Sequence, residues 1–179
     1  MYWLDINASI SRKFTPRFSA ILSYYHIVLN NDVAAVTKQP GNIRSNTVVL
    51  ETLYKFKNKS ALRLEGQLMF VNRVDANDNI VAPGTENARA TDNGDWATLV
   101  IEYTINSNWV VSVMDQWNFG NPVEYKRAHH PYFTVGYVKG ATRIMASYGR
   151  QRAGMFCVGG VCRIVPASNG LTLSLTHSF

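Results

Sequence analysis

The last nine residues, Leu171-Thr-Leu-Ser-Leu-Thr-His-Ser-Phe179, decide the fold prediction. Leu171, Leu173, Leu175, His177 and Phe179 fall on one side of an extended strand, and hydroxyl-bearing residues fill the positions between them. An alternation with a period of two predicts a β-strand with one apolar and one polar face. The strand ends on an aromatic residue, which is typical of a barrel in lipid because aromatic side chains gather at the membrane interface. The stretch therefore predicts an all-β, antiparallel, up-and-down transmembrane β-barrel.

The composition fits one folded domain over residues 1–179. The chain is 46% hydrophobic, 12% aromatic and only 17% charged, which argues against disorder. The mean hydropathy of −0.11 is expected of a barrel, in which lipid-facing residues are averaged with lumen-facing ones. The sequence contains no apolar run of about 18 residues, so it predicts no transmembrane helix. The net charge of +6 comes from scattered side chains, so we expect no nucleic-acid partner.

The same alternation recurs along the chain and predicts nine strands. They cover residues 2–14, 18–29, 46–56, 61–73, 96–105, 109–118, 132–138, 141–152 and 171–179. Short turns alternate with longer connections, of which the longest cover residues 30–44, 75–95 and 153–170. This rhythm is typical of outer-membrane barrels, whose turns are short on one side of the membrane and long on the other. We therefore expect an outer-membrane location with membrane lipid as a partner.

The odd strand count conflicts with the even number that single-chain bacterial barrels usually have. An open sheet would also leave backbone groups without partners in lipid, at several kcal/mol each. Three explanations are open. The strand count is off by one, several copies of the chain form one closed barrel, or the chain is the C-terminal section of a larger barrel. The N-terminal residues lack the basic and apolar segments of a signal peptide, which favours the third explanation.

Two stretches at the C-terminus carry a family resemblance: GRQRAGMFCVGGVCRIVPASNG at residues 149–170, and the closing strand that follows it. They resemble the end of a family of large outer-membrane β-barrel proteins of unknown function from Gram-negative gut and oral bacteria. The closing strand is also similar to the signal read by the barrel-assembly machinery, with Leu171, Leu173, Leu175 and Phe179 as its apolar and aromatic positions. His177 departs from that pattern, where an apolar or aromatic residue is usual. The resemblance implies a location and an assembly partner, and it implies no chemistry.

Charged side chains on the polar faces of the predicted strands would line the lumen. They are Glu51, Lys55, Arg63, Glu65 and Glu102, with Arg143 as a further candidate. These charges have a structural role if opposite charges on neighbouring strands pair in a network. They have a functional role if they line a polar conduit with mild selectivity.

The two cysteines, Cys157 and Cys162, flank Val-Gly-Gly-Val. This spacing favours a local disulfide across a hairpin, which fits an oxidising compartment. Free thiols and half of a zinc site are the alternatives, but no second pair of ligands lies nearby in the sequence.

No catalytic motif or cofactor motif is present in the sequence. The chain has no Gly-x-Ser-x-Gly elbow, no His-Glu-x-x-His and no glycine-rich phosphate loop. Asp115 and His130 would form an acid–base pair only if the fold brought them together at one rim. His129 and His130 lie at a loop end, where we expect them at the membrane interface. His26 lies among tyrosines, and we expect it to be packed against them. We therefore expect no enzyme, no cofactor and no metal.

Two functions remain open from the sequence. The first is a pore, a transporter or the barrel subunit of a complex with other envelope proteins. The second is a barrel without transport, whose long loops bind a surface partner. A soluble barrel or sandwich that binds a ligand is a third reading.

Overall fold

The computed structural model describes residues 3–30, 42–74, 94–106, 108–121, 123–152, 154–158 and 161–178. Eleven strands and one short 3-10 turn, Glu124–Lys126, are assigned in these residues. The strands are β1 (Trp3–Lys13), β2 (Phe18–Asn30), β3 (Asn42–Lys55), β4 (Ala61–Val74), β5 (Trp96–Ile105), β6 (Trp109–Trp117), β7 (Tyr132–Lys139), β8 (Thr142–Gln151), β9 (Gly154–Val158), β10 (Val161–Val165) and β11 (Ser168–His177). The predicted all-β class is confirmed. Within the described residues, no helix has the length and apolar character needed to span a membrane.

Nine of the strands form one antiparallel up-and-down sheet in the order β1-β2-β3-β4-β5-β6-β7-β8-β11. Each strand pairs with the next one along the chain, and β8 pairs with β11 across the intervening β9–β10 hairpin. β1 and β11 are the two edges of this sheet. Among the described residues no pairing joins them, so these strands alone do not close into a barrel.

The connections alternate in length, as the sequence predicted. Four short turns, at residues 14–17, 56–60, 106–108 and 140–141, join β1 to β2, β3 to β4, β5 to β6 and β7 to β8. In an up-and-down sheet alternate connections lie at the same end. The four short turns therefore share one end, which we call the turn end. The longer connections share the other, which we call the loop end.

The strand register gives the sheet two chemically different faces. One face, the apolar face, carries most of the large hydrophobic side chains that are exposed, such as Ile10, Leu50, Leu99 and Leu173. The exposed large hydrophobic residues outside this face are Phe14, Ile21, Tyr25, Phe56 and Tyr125. Apolar side chains therefore lie where a soluble protein would place polar ones.

The opposite face, which we call the sheltered face, carries most of the buried strand residues and many polar ones. Its buried side chains are Ser23, Trp96, Val100, Val110, Ser112, Met114, Tyr132, Thr134, Ser147 and Gln151. The Thr134 hydroxyl donates to the Ser147 hydroxyl at 2.9 Å, so these two buried polar groups satisfy one another. A small cluster of Val100, Met114 and Tyr132, with Met145 against it, forms the only buried apolar cluster in the described part of the chain.

One correction concerns residues 153–170, which the sequence led us to treat as a loop. The structure places strands β9 and β10 there, in a separate two-stranded sheet. β-branched residues on both sides of Gly159-Gly160 are a hairpin signal, and they explain the difference. The predicted loops at 30–44 and 75–95 lie largely outside the described residues.

Candidate functional site

The charged network predicted for the lumen centres on Arg63, on the sheltered face of β4. Its Nε and Nη2 donate to Glu51 Oε2 on β3, at 3.0 and 2.7 Å. Nη2 also donates to Glu65, which accepts a second hydrogen bond from Gln67 Nε2. The register places Glu51 directly opposite Glu65. Two carboxylates in that position repel one another, so the guanidinium that contacts both holds them together.

Glu102 belongs to the same face and lies directly opposite Arg63, on β5. Glu51, Glu65 and Glu102 thus surround one guanidinium with three carboxylates. The cluster has a formal charge of −2, because three negative groups meet one positive group. Arg63 and Glu51 keep side-chain exposures of 30% and 32%, so this charge is open to solvent. The arrangement is a structural ion pair that also presents a negative surface.

The other two predicted lumen cations, Lys55 and Arg143, lie at the end of β3 and on β8. Lys55 ends β3 at the turn end and is exposed, and its backbone N–H donates to the Arg17 carbonyl at 2.8 Å. Arg143 lies on the sheltered face of β8, opposite Thr176 of β11. The structure therefore brings Glu51, Arg63, Glu65 and Glu102 together on neighbouring strands.

The loop end brings Asp115 and His129 together on the apolar face. Asp115 lies on β6 opposite Leu99, and its Oδ2 is 2.6 Å from Nδ1 of His129. The His129 ring stacks on Trp117, and a single β-bridge pairs the two residues. Asp115 Oδ1 accepts the backbone N–H of His130 at 3.1 Å. The sequence singled out Asp115 with His130, whereas the side chain that meets Asp115 is that of His129.

His130 packs toward a different group of side chains. Its ring centroid is 5.7 Å from that of Trp96, and the Arg152 guanidinium lies 4.1 Å over the same indole. Burial lowers the pKa of His130 below its ordinary value, and the positive charges of Arg150 and Arg152 lower it further. The imidazole is therefore held in its neutral form more strongly than a free histidine. His26, the remaining histidine that the sequence singled out, lies within hydrogen-bond distance of Asn46, with Nδ1 2.8 Å from Oδ1.

Aromatic side chains form two rows that border the apolar face, one near each end of the strands. Phe14, Phe56 and Phe119 extend these rows into the connections that follow β1, β3 and β6. The turn-end row contains Phe14, Phe18, Tyr54, Phe56, Tyr103, Trp109 and Tyr137, in ring contacts such as Tyr54–Phe56 at 4.8 Å and Trp109–Tyr137 at 4.8 Å. The loop-end row contains Phe70, Trp117 and Phe119, with His129 stacked on Trp117. Trp109 and Trp117 lie on one strand, eight residues apart, which is about 26 Å at ~3.3 Å per residue.

A shallow groove of about 410 Å³ opens on the apolar face between these rows. It forms at Gly66, where a Cβ atom would meet nothing within 4 Å. Leu50, Leu68 and Leu99 line it, and Asp115 with His129 lies at its border. The groove is apolar and open to the side, so it suits a hydrocarbon chain better than a polar ligand.

The remaining predicted positions fall at the C-terminal end. Cys157 and Cys162 are directly opposite one another in the β9–β10 pairing, while their side chains lie outside the described residues. Leu171, Leu173 and Leu175 project from the apolar face of β11 with exposures of 68%, 71% and 71%. Phe179 lies outside the described residues. In the part of the chain that is described, no group of three or more His, Cys, Asp or Glu residues could hold a metal ion.

The fold and these surfaces define a class: an antiparallel up-and-down β-sheet protein with an exposed apolar face and a charged sheltered face. The chain belongs to the Family of unknown function (DUF6029), whose model matches residues 1–179. No curated protein and no solved structure is significantly similar to it.

Proposed function

We propose that this chain forms the wall of a β-barrel in the outer membrane and acts as a pore, a transporter or the barrel subunit of an envelope complex. The observation that carries the proposal is the apolar face between its two aromatic rows. Barrels of this kind have an apolar band about 25 Å tall, bordered by aromatic girdles at both interfaces. The span of about 26 Å from Trp109 to Trp117 is close to that height, although the tilt of the strand shortens it.

The exposure of individual side chains supports contact with lipid. Leu173 and Leu175 are each 71% exposed, and Ile10 at the opposite edge is 74% exposed. Burying a leucine side chain is worth about 1.5–3 kcal/mol, so a whole face of exposed apolar residues would be costly in water. Lipid removes this cost without a second protein layer. The nine strands of the main sheet, at 8 to 14 residues, suit a tilted crossing of about 9–11 residues.

The sheltered face supports the transport part of the proposal. In a barrel with the apolar face outward, Glu51, Arg63, Glu65 and Glu102 line the lumen. Three carboxylates around one guanidinium make this part of the lumen locally negative, and carboxylates that line a water-filled channel favour cations over anions. The proposed activity is thus a weakly cation-selective polar conduit.

The experiment is conductance of the purified full chain in planar bilayers, with the reversal potential measured across a salt gradient. We expect channels that prefer cations, and we expect the variant Glu51→Gln/Glu65→Gln/Glu102→Gln to shift the preference toward anions. Glu124→Gln, which removes an exposed carboxylate at the loop end, is the control and should leave selectivity unchanged. Protein that inserts into the bilayer but never conducts would contradict a pore.

The alternative function is a non-transporting barrel whose loop end binds a surface partner. The β9–β10 hairpin favours it, because it forms a separate two-stranded sheet within the long connection between β8 and β11. An inserted, silent protein whose partner binding is lost on deletion of residues 154–165 would select this alternative.

A further inference from the structure

Two neighbouring short turns carry a concentration of positive charge. They are the β1–β2 turn and the β3–β4 turn, which are adjacent because β2 pairs with β3. The Lys55 backbone N–H donates to the Arg17 carbonyl at 2.8 Å, which joins the two turns directly. We call the six cations here the basic turn surface, and they are Arg12, Lys13, Arg17, Lys55, Lys57 and Lys59.

All six side chains of the basic turn surface are exposed. No aspartate or glutamate occurs in residues 12–18 or 52–61, so neither turn supplies a local counter-charge. The nearest carboxylate along β3, that of Glu51, accepts two hydrogen bonds from Arg63 on the sheltered face. The surface therefore presents six exposed cations at the turn end, and neither turn contributes an acidic side chain.

Aromatic side chains lie immediately beside these cations. The Arg12 guanidinium is 5.3 Å from the centroid of the Phe14 ring, and Phe14 stacks on Phe18 at 5.5 Å. Tyr54 and Phe56 flank Lys55 in the sequence and contact one another at 4.8 Å. Aromatic rings at a membrane boundary sit at the level of the lipid headgroups. Cations just beyond this aromatic row are therefore at the depth of lipid phosphates.

We propose that the basic turn surface binds anionic phospholipid headgroups, which it recognises through their phosphate and net negative charge. The inference rests on the proposed membrane function and adds a lipid preference at one side of the sheet. Lysine ammonium groups and arginine guanidinium groups both donate charge-assisted hydrogen bonds to phosphate oxygens. A lipid surface fits better than an acidic protein, because the cations continue directly from the aromatic row of the apolar face.

The test uses the full chain in vesicles that contain equal amounts of phosphatidylglycerol and phosphatidylcholine. The measured quantity is the ratio of the two lipids that the released protein retains in native mass spectrometry. The wild type should be enriched in phosphatidylglycerol, and the enrichment should weaken as salt is added. Arg17→Gln/Lys55→Gln/Lys57→Gln removes three cations and should reduce it by up to about a hundredfold, since each cation near an anionic surface contributes roughly fivefold.

The control Lys126→Gln/Arg127→Gln/Arg150→Gln removes three positive charges from the loop end. It should retain most of the enrichment. An equal loss in both variants would show an effect of net charge alone and would overturn the proposal. So would a wild-type protein that binds poly-glutamate in zwitterionic detergent but shows no lipid preference.

Flotation with pure phosphatidylcholine vesicles separates this inference from the function on which it rests. Wild-type protein that fails to float contradicts the membrane function and the lipid site together. Protein that floats but retains both lipids equally contradicts the lipid site alone. Heat-modifiable gel mobility of each variant confirms that the substituted chains are folded.

Discussion

The imidazole of His129 lies nearly parallel to the indole of Trp117, with 5.1 Å between the ring centroids and 8° between the ring planes. The stack fixes the imidazole beside Asp115, the one carboxylate on the apolar face in the described part of β5 to β8. An unpaired carboxylate on a face that meets lipid or its boundary would be costly. His129 therefore stabilises both the loop-end aromatic row and the carboxylate of Asp115 on the apolar face.

Replacing His129 should separate these two roles. His129→Phe keeps a ring for the stack on Trp117 and removes the partner of Asp115, so it should reduce the stability of the inserted protein. His129→Phe/Asp115→Asn removes the charge as well and should recover much of the loss. Denaturant unfolding from vesicles measures both. A single variant as stable as wild type would show that the contact between His129 and Asp115 contributes nothing.

The two faces of β11 should respond differently to a new charge. Leu173→Arg places a guanidinium on the apolar face and should cost about 2–4 kcal/mol near the middle of the bilayer, or block assembly. Ser174→Arg, one residue further along and on the sheltered face, should be milder. Membrane assembly and unfolding midpoints report the difference. Equal effects would mean that the apolar face does not meet lipid.

Arg63 should be more important for stability than its exposure suggests. Arg63→Met leaves Glu51 and Glu65 directly opposite one another without the cation between them, at an expected cost of about 1–2 kcal/mol after allowance for solvent screening. Glu51→Gln in the same chain should restore most of that loss. A triple variant with Glu65→Gln adds a check on the repulsion. The prediction is wrong if Arg63→Met unfolds at the wild-type denaturant concentration.

His130 should make the protein less stable in mild acid. Because its folded pKa is lowered, the unfolded chain binds the proton more readily than the folded chain. The contribution is fully present above the ordinary value of 6.5 and is lost as the pH falls from there through the lowered pKa. His130→Gln should flatten this part of the profile, which is measured as the denaturant midpoint at a series of pH values. A variant whose midpoint falls in mild acid as steeply as that of the wild type would contradict the prediction.

Cys157 and Cys162 should form a disulfide in an oxidising compartment. Their Cα atoms are paired across β9 and β10, a separation within the reach of a disulfide. Mass spectrometry of alkylated peptides should show the pair as oxidised in protein from the native envelope. Modification of both thiols without prior reduction would contradict the prediction.

Much of the architecture was predictable because strand alternation is a local property of the sequence. Leu62, Leu64, Leu68 and Phe70 fall at every second or fourth position, and the register places them together. The ends of β2 and β3 were less predictable, since polar residues there still pair as far as Asn30 and Asn42. The β9–β10 hairpin was missed because five-residue strands are short beside the others.

The candidate sites were predictable only in part. Once the neighbouring strands are known, the alternation of side chains along each strand places Glu51, Arg63 and Glu65 on one face. The Asp115–His129 contact depends on how residues 127–130 return alongside β6, which no period in the sequence encodes. The basic turn surface joins turns nearly forty residues apart in the chain, and only the pairing of β2 with β3 brings them together.

The order of the main sheet has a consequence for any ring built from it. Nine strands in strict alternation leave β1 and β11 pointing in the same direction. A ring closed by these two edges alone must contain one parallel seam, with slanted hydrogen bonds that are slightly weaker per residue than those of its other junctions. An odd number of added strands would remove the seam. In a ring that contains the seam, denaturant would break the pairing between β1 and β11 first.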